Sequence, residues 1–300
     1  MIQHGTELFA DAAALAPAGC SIIIPASNEA RFIAPTLGAL LASNPPETGA
    51  SPAVEIVVVA NGCQDETVAV ARGFAGPVAA RGWRLAVLEL AEGGKLNALN
   101  AGDVAATAGI RIYLDADVVA SPGLVAELAA ALERDAPAYA SGTPAMAPAA
   151  SWVTRAYTRV WRRVPFMTTG VPGCCVFATN AAGRRRWGTF PPIVADDTFV
   201  RLQFAAAERI RVPATYAFPM PEGFRRLVTL RRRQDFGARD VARRYPALVA
   251  NDDKPRFGAG LALRIATTDP LGFAAYAAVA VAARFRARRH AGLWARARQL

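Results

Sequence analysis

The chain is almost without histidine: among its 300 residues only His4 and His290 carry imidazoles, and both lie near the ends. A Ser–His–Asp triad or a histidine-rich zinc site therefore has nothing to be built from within the body of the fold. Acid–base chemistry, if there is any, falls mainly to carboxylates. Cysteine is nearly as scarce. Cys20, Cys63, Cys174 and Cys175 show no Cys-x-x-Cys spacing, and adjacent cysteines such as the last two do not easily form an unstrained bridge with each other. Reduced thiols in a cytosolic protein are expected. The first thirty residues hold Glu7 and Asp11 but neither Lys nor Arg, so the cationic start of a secretory signal is missing. Two nucleotide-binding signatures are absent as well. No Gly-x-Gly-x-x-Gly follows the first apolar run, which disfavours a dehydrogenase, and no Gly-Lys-Ser/Thr occurs, which disfavours a P-loop nucleotidase.

Acidic residues are missing from 271–300, where Arg284, Arg286, Arg288, Arg289, Arg296 and Arg298 follow an apolar stretch at 271–283. A helix of about 13 residues is roughly 20 Å long, short of the ~30 Å hydrocarbon core, so this stretch should not span a bilayer. The net charge of +10 calls for an anionic partner. Nucleic acid is not expected, because no recognised nucleic-acid motif is present. Two readings of the tail stay open. In one it attaches peripherally to an anionic inner membrane surface, with Phe273, Tyr276, Phe285 and Trp294 entering the interface. In the other a core-docked or dimer-forming helix precedes a solvated basic tail.

What is present begins with 53% apolar residues, ample for a large core. The first half alternates β-type apolar runs with helical patterns, the sequence form of a parallel sheet covered on both faces. Strands are predicted at 20–25, 54–60, 83–90 and 110–115, and helices at 31–42, 66–74, 96–106 and 123–134. Ser121-Pro122 supplies a cap and a first-turn proline for the last of these. After about residue 136 the rhythm loosens, with helices predicted at 152–163 and 196–207 and an arginine-laden helical stretch at 223–245. The predicted fold is α/β with helices on both sheet faces and a C-terminal helical extension. Its expected divisions are an N-terminal segment (1–19), a domain at 20–245 with a nucleotide-binding half to 135 and an acceptor half after it, and a basic extension at 246–300.

The most informative segment is Ile-Arg-Ile-Tyr-Leu-Asp-Ala-Asp at 110–117, where an apolar strand ends in two carboxylates. Alternation along an extended chain sends Asp115 and Asp117 to the same side. Two hard oxygen ligands at the open end of a buried strand suit Mg2+ or Mn2+ completed by water and a diphosphate. An isolated Asp-x-Asp can also be a plain acidic turn. Here it is the fourth in a series of polar strand ends, after Pro25-Ala26-Ser27-Asn28-Glu29, Asn61-Gly62-Cys63-Gln64-Asp65 and Gly93-Gly94-Lys95-Leu96-Asn97-Ala98-Leu99-Asn100. Asp65, just ahead of Glu66-Thr67, is read as a cap for the following helix.

In that order and spacing the four segments closely resemble the family 2 glycosyltransferases of GT-A fold, over roughly residues 20–245. The resemblance implies an inverting enzyme that moves a sugar from a nucleotide donor to an acceptor hydroxyl, in cell-envelope glycan or glycolipid synthesis. It implies that Ser27, Asn28 and Glu29 line the nucleoside pocket, that Pro25, Asn61, Lys95 and Asn100 belong to the donor site, and that Asp115 and Asp117 hold the ribose and the metal. Asp196-Asp197-Thr198 resembles the family's Glu-Asp motif with Asp196 in the Glu position, which makes Asp197 the general base. Without the match it would be an acidic helix start. Gly170 and Gly173 resemble the acceptor segment. Arg232 and Arg233 sit where many relatives clamp the diphosphate, though the accompanying tryptophan is absent and a solvated basic face is an equal reading. The expected acceptor is a sugar or a lipid-linked molecule. One departure stands out: family members commonly carry an acidic pair where this chain has Ala60-Asn61. A non-catalytic nucleotide-sugar or polyanion-binding module of the same fold is the alternative that this departure raises.

Overall fold

The computed structural model describes residues 19–46 and 54–285; His4, His290, Trp294 and the arginines from Arg286 onward lie outside the described residues. The first half runs β1 (Cys20–Ala26), α1 (Ala30–Leu41), β2 (Val54–Asn61), α2 (Thr67–Arg72), α3 (Ala75–Ala80), β3 (Arg84–Leu90), α4 (Lys95–Ala105) and β4 (Ile110–Leu114). These strands pair in parallel in the order β3-β2-β1-β4. In β1, Ile22 and Ile24 join one core cluster while Ile23 joins the other; in β2, Ile56 and Val58 oppose Val57 and Val59 in the same way. Both faces of these strands are therefore sealed, and every position can be aliphatic, as in parallel sheets covered by crossover helices.

The second half contributes β5 (Val119–Ala120), α5 (Leu124–Leu132), β6 (Tyr139–Met146), α6 (Trp152–Trp161), α7 (Pro165–Thr168), β7 (Val176–Thr179), α8 (Ala181–Arg184), α9 (Asp196–Arg201), β8 (Arg209–Phe218), α10 (Phe224–Arg244), α11 (Ala259–Thr268) and α12 (Pro270–Phe285). Its strands extend the sheet to eight, in the order β3-β2-β1-β4-β7-β6-β8-β5. β7 runs antiparallel to β4, pairing Tyr113 with Phe177 and Leu114 with Val176. The sheet is thus mixed, parallel on the side of β1 to β4 and partly antiparallel beyond.

Two local expectations are corrected. Ser121 does not cap α5, whose first turn has no side-chain cap; its hydroxyl instead accepts the Thr215 N–H of the neighbouring strand at 3.0 Å. The helix expected at 196–207 stops at Arg201. Phe204 turns into the core, and the Arg209 guanidinium donates to the Arg201 and Phe204 carbonyls at 3.1 and 2.6 Å, satisfying acceptors that a longer helix would have used itself.

The described part of the C-terminal extension, up to Phe285, is docked on the body of the fold. Val279 and Ala283 of α12 are part of the main core, Tyr276 stacks on Tyr157 of α6, and Arg159 forms a two-pronged ion pair with Asp269 at 2.8 and 2.9 Å. Asp269 also accepts the Gly272 N–H, capping the start of α12. Among the described residues no helix is long and apolar enough to cross a membrane.

Candidate active site

β2 and β4 lie on opposite sides of β1, so the chain reverses its direction of travel across the sheet at β1. In open α/β sheets such a switch point leaves a crevice at the carboxyl ends of the strands. A cavity of about 1090 Å3 opens there, and Pro25, Ser27, Asn28, Glu29, Asn61, Gly93, Gly94, Lys95, Asp115, Asp117, Asp196, Asp197 and Arg233 all contribute to its lining. Residues scattered over more than two hundred positions of sequence thus share one space.

Main-chain bonds set the carboxylates in place. The Asp115 N–H donates to the Cys175 carbonyl at 2.9 Å, continuing the β4–β7 ladder by one step. The buried Thr36 hydroxyl of α1 donates to the Ala116 carbonyl at 2.8 Å, fixing the residue between the two aspartates. Asp196 and Asp197 open α9, and the Asp197 carboxylate accepts the Thr198 N–H at 2.6 Å. Lys95, the first residue of α4, joins the two acidic groups: its Nζ lies 2.9 Å from Asp115 Oδ1 and 2.9 Å from Asp196 Oδ2.

This arrangement divides the labour among the acids. Burial pulls the Lys95 ammonium down, yet Asp115 and Asp196 outweigh it and hold the group above its ordinary value. Asp196 is ion-paired through that contact. For Asp197, burial and the neighbouring Asp196 charge push the carboxyl above its ordinary 3.8, against the opposing pull of Lys95 and the Thr198 N–H. The two thiols that also line the cavity are not nucleophiles in waiting. Burial pushes Cys174 up to about 12 and Cys175 well above its ordinary value.

Several expected residues are engaged elsewhere. Asn100 exchanges two hydrogen bonds with the Phe190 main chain, at 2.7 and 3.3 Å, and is not among the lining residues. Arg232 turns away to the Ala282 and Ala283 carbonyls at the end of α12, tying α10 to the extension. Gly170 and Gly173 also stay outside the lining. Gly173 has φ +64°, and the Tyr139 hydroxyl occupies the place a Cβ would take, so its need for glycine is steric. Asn61 is at the cavity but spends its amide on structure. Its Nδ2 donates to the Ala26 carbonyl at 2.8 Å and its Oδ1 accepts the Gly94 N–H at 2.8 Å, so one side chain staples the end of β1 to the glycine loop. Asp65 caps twice, accepting the Thr67 N–H of the helix that follows and the Ala30 N–H of α1.

The sequence reading missed one whole wall. Trp161 of α6, Phe166 of α7, Met220, Leu230 of α10, Phe257 and Tyr276 of α12 line the far side of the cavity. The apolar residues of 152–163 were the available signal, but periodicity alone does not tell a core face from a ligand face.

A parallel half-sheet opening onto such a crevice, with a mixed second half continuing across it, defines the GT-A class of glycosyltransferase folds. The model described as Glycosyl transferase family 2 matches residues 21–187, more than half of the chain, and the chain belongs to that family. Similar solved structures include the mannosyltransferase PcManGT from Pyrobaculum calidifontis in complex with GDP-Man and Mn2+, with 24% identity and TM-score 0.57 over 88% of this chain and 75% of that one. TarS 1-349 from S. aureus in complex with UDP is 16% identical with TM-score 0.51, over 71% of this chain and 64% of that chain. The same protein with UDP-GlcNAc gives 15% and 0.52, over 88% and 81%. No curated protein sequence matches.

Proposed function

We propose that the protein is an inverting glycosyltransferase that moves a sugar from a nucleoside diphosphate to an acceptor hydroxyl, with Asp197 as general base. One observation carries the reading: Asp197, a buried acid with a raised proton affinity, shares a cavity with Asp115, Asp117 and Lys95, while its neighbour Asp196 is ion-paired with the lysine. A base must be a carboxylate with enough proton affinity to take a hydroxyl proton as the new bond forms, and a raised pKa provides that. Ser27, Asn28 and Glu29 at the end of β1 are the candidate nucleoside contacts. Lys95 and Arg233 are the candidate cations for the diphosphate, and attraction for charge on the leaving group is the interaction that strengthens most as the sugar departs.

The donor set also suits a divalent cation. Asp115 and Asp117 offer hard oxygens and nothing softer, and among the described residues no group of three or more His, Cys, Asp or Glu side chains comes together to cage an ion. A site with so few protein ligands fits Mg2+ or Mn2+, which keeps waters and shares phosphate oxygens. When bound, such an ion supplies charge neutralisation at the diphosphate. The PcManGT complex with Mn2+ and GDP-Man and the TarS complexes with UDP and UDP-GlcNAc support a nucleotide-sugar donor of the same kind. Because Asn61 already serves the loop, the departure at Ala60-Asn61 has a structural use, and the non-catalytic alternative loses its main motive.

The acceptor is a sugar or a lipid-linked molecule, the setting is envelope glycan or glycolipid synthesis, and the basic C-terminal extension assists contact with an anionic membrane surface from the cytoplasmic side. The test is a thermal-shift panel of UDP-, GDP- and dTDP-sugars with Mn2+, followed by turnover on the donor that binds. Asp197→Asn should keep the donor-induced shift and lose about 10^2 to 10^4 in rate. Near-normal turnover in that variant would remove the base from the proposal.

A further inference from the structure

Two buried arginines hold a strap across the acceptor side. Arg201, 4% exposed, donates to Asp252 and Asp253 at 2.5 and 3.0 Å, and Arg209, 7% exposed, reaches Asp253 at 2.5 Å. Against the upward pull of burial, Arg201 keeps the Asp252 carboxyl below its ordinary value. Buried cations spent on two exposed-side aspartates are a costly way to tie down a mere connection. What they fix is the 252–257 segment, which presents Lys254, Arg256 and Phe257 to the cavity. Lys254 stands 5.7 Å over the Phe166 ring and 3.9 Å from an Asp252 oxygen, Phe257 packs 5.8 Å from Tyr276, and no partner of Arg256 occurs among the described residues.

Beneath the strap the wall is mainly apolar, although Arg231, Gln234 and Asp235 of α10 also line the cavity. Trp161, Phe166, Met220, Leu230, Phe257 and Tyr276 come from four helices and two connections, and the Tyr276 hydroxyl is already taken by Arg231 at 3.0 Å. A free sugar or a peptide would need converging hydrogen-bond groups here. An aliphatic chain needs none.

Building on the transferase reading, we propose that this half of the cavity binds an amphiphilic acceptor, with one apolar chain lying along the wall and a phosphate-type anionic head held by Lys254 and Arg256. The head carries the accepting hydroxyl. Its proton passes to Asp197 as its oxygen bonds to the anomeric carbon, and the bond from that carbon to the nucleoside diphosphate breaks with the electron pair leaving on the diphosphate.

The test is binding by the full chain, read by titration calorimetry, of octyl phosphate and dodecyl phosphate below their micellar concentrations, with inorganic phosphate and dodecyl maltoside for comparison. Dodecyl phosphate should bind at least about tenfold more tightly than octyl phosphate, since each buried methylene adds to affinity, and inorganic phosphate should bind more weakly than either. Lys254→Ala combined with Arg256→Ala, both at exposed positions, should weaken dodecyl phosphate about tenfold and leave dodecyl maltoside unchanged. Leu230→Gln should flatten the chain-length dependence. Equal affinity for the two chain lengths, or equal binding by the double variant, overturns the proposal. A melting shift with UDP or GDP and Mn2+, measured on the same samples, separates the two failures: nucleotide binding without alkyl phosphate binding sinks the acceptor proposal alone, whereas loss of nucleotide binding in the parent chain sinks the transferase reading.

Discussion

Lys95 is the hinge of the charge arrangement, and Lys95→Met removes its cation while keeping most of its length. The ammonium is 2.9 Å from one oxygen of Asp115 and 2.9 Å from one of Asp196; side-chain exposure is 39% for Lys95, 32% for Asp115 and 6% for Asp196. Breaking a fully buried pair costs about 3–5 kcal/mol, and breaking an exposed one about 0–1 kcal/mol. A lysine and an aspartate each one-third exposed, joined to one sealed aspartate, lie between these limits, so about 2 kcal/mol is expected after allowance for solvent screening. For a chain of this size that is a fall of about 3–6 °C in melting temperature. The loss should depend on pH with a definite sign. Asp197 already holds its proton above its ordinary 3.8 in the folded state, so its contribution to stability is complete below that value and is lost as pH rises through the raised one. Lys95 is the charge that restrains the rise. Without it the folded state keeps the proton to higher pH, and the aspartates repel one another once ionised. Melting measured at about pH 4.5, 6 and 8 should therefore show a small deficit at the acid end and the full deficit at the alkaline end, and the acid limb of the activity profile should move upward. A deficit that is constant with pH, or absent at pH 8, would refute the electrostatic account.

Asn61→Asp, which restores an acid of the type common in the family, should destabilise by about 1–3 kcal/mol in urea titrations, because a carboxylate facing the Ala26 carbonyl sets acceptor against acceptor. An unchanged urea midpoint would show that the staple contributes nothing. The Arg159 fork holds the Asp269 carboxyl down at about 2, so the contribution of this pair is present above pH 3.8 and fades as pH falls toward 2. With Arg159 47% exposed, screening limits the effect, and Asp269→Asn should cost about 1 kcal/mol at neutral pH and progressively less in acid. Melting curves from about pH 2.5 to 7 test this, and a gap that widens in acid would contradict it.

The parallel half of the sheet was legible because β1 and β2 are nearly continuous aliphatic runs buried on both faces, leaving no alternation to misread: β1, β2 and β4 begin where predicted, and β3, with Arg84 and Glu89 exposed, one residue later, whereas β5 to β8 were not predicted. Helix ends were less so. α9 stops early because Arg209, eight residues further on, takes its last carbonyls, and no pattern within 196–207 announces that bond. Asp115, Asp117 and Lys95 could be singled out because polar groups following buried strands are conspicuous, whereas Asp197, in the first turn of α9, stood out only through the family resemblance. The tasks of Asn61, Asn100 and Arg232 could not, since an amide or guanidinium in a motif looks the same whether it points to a ligand or to a main-chain carbonyl.

The order of elements, the parallel character of the first half and the acidic residues available for chemistry were written into the chain, because they follow from local patterns of apolar and polar residues. The pairing of Lys95 with both Asp115 and Asp196, the burial of Asp197 beside that pair, which raises its proton affinity, and the apolar wall closed by the 252–257 strap and α12 were decided only by the tertiary fold. Each depends on which distant side chain arrives first at a buried charge or a bare apolar face, and that competition is resolved in three dimensions.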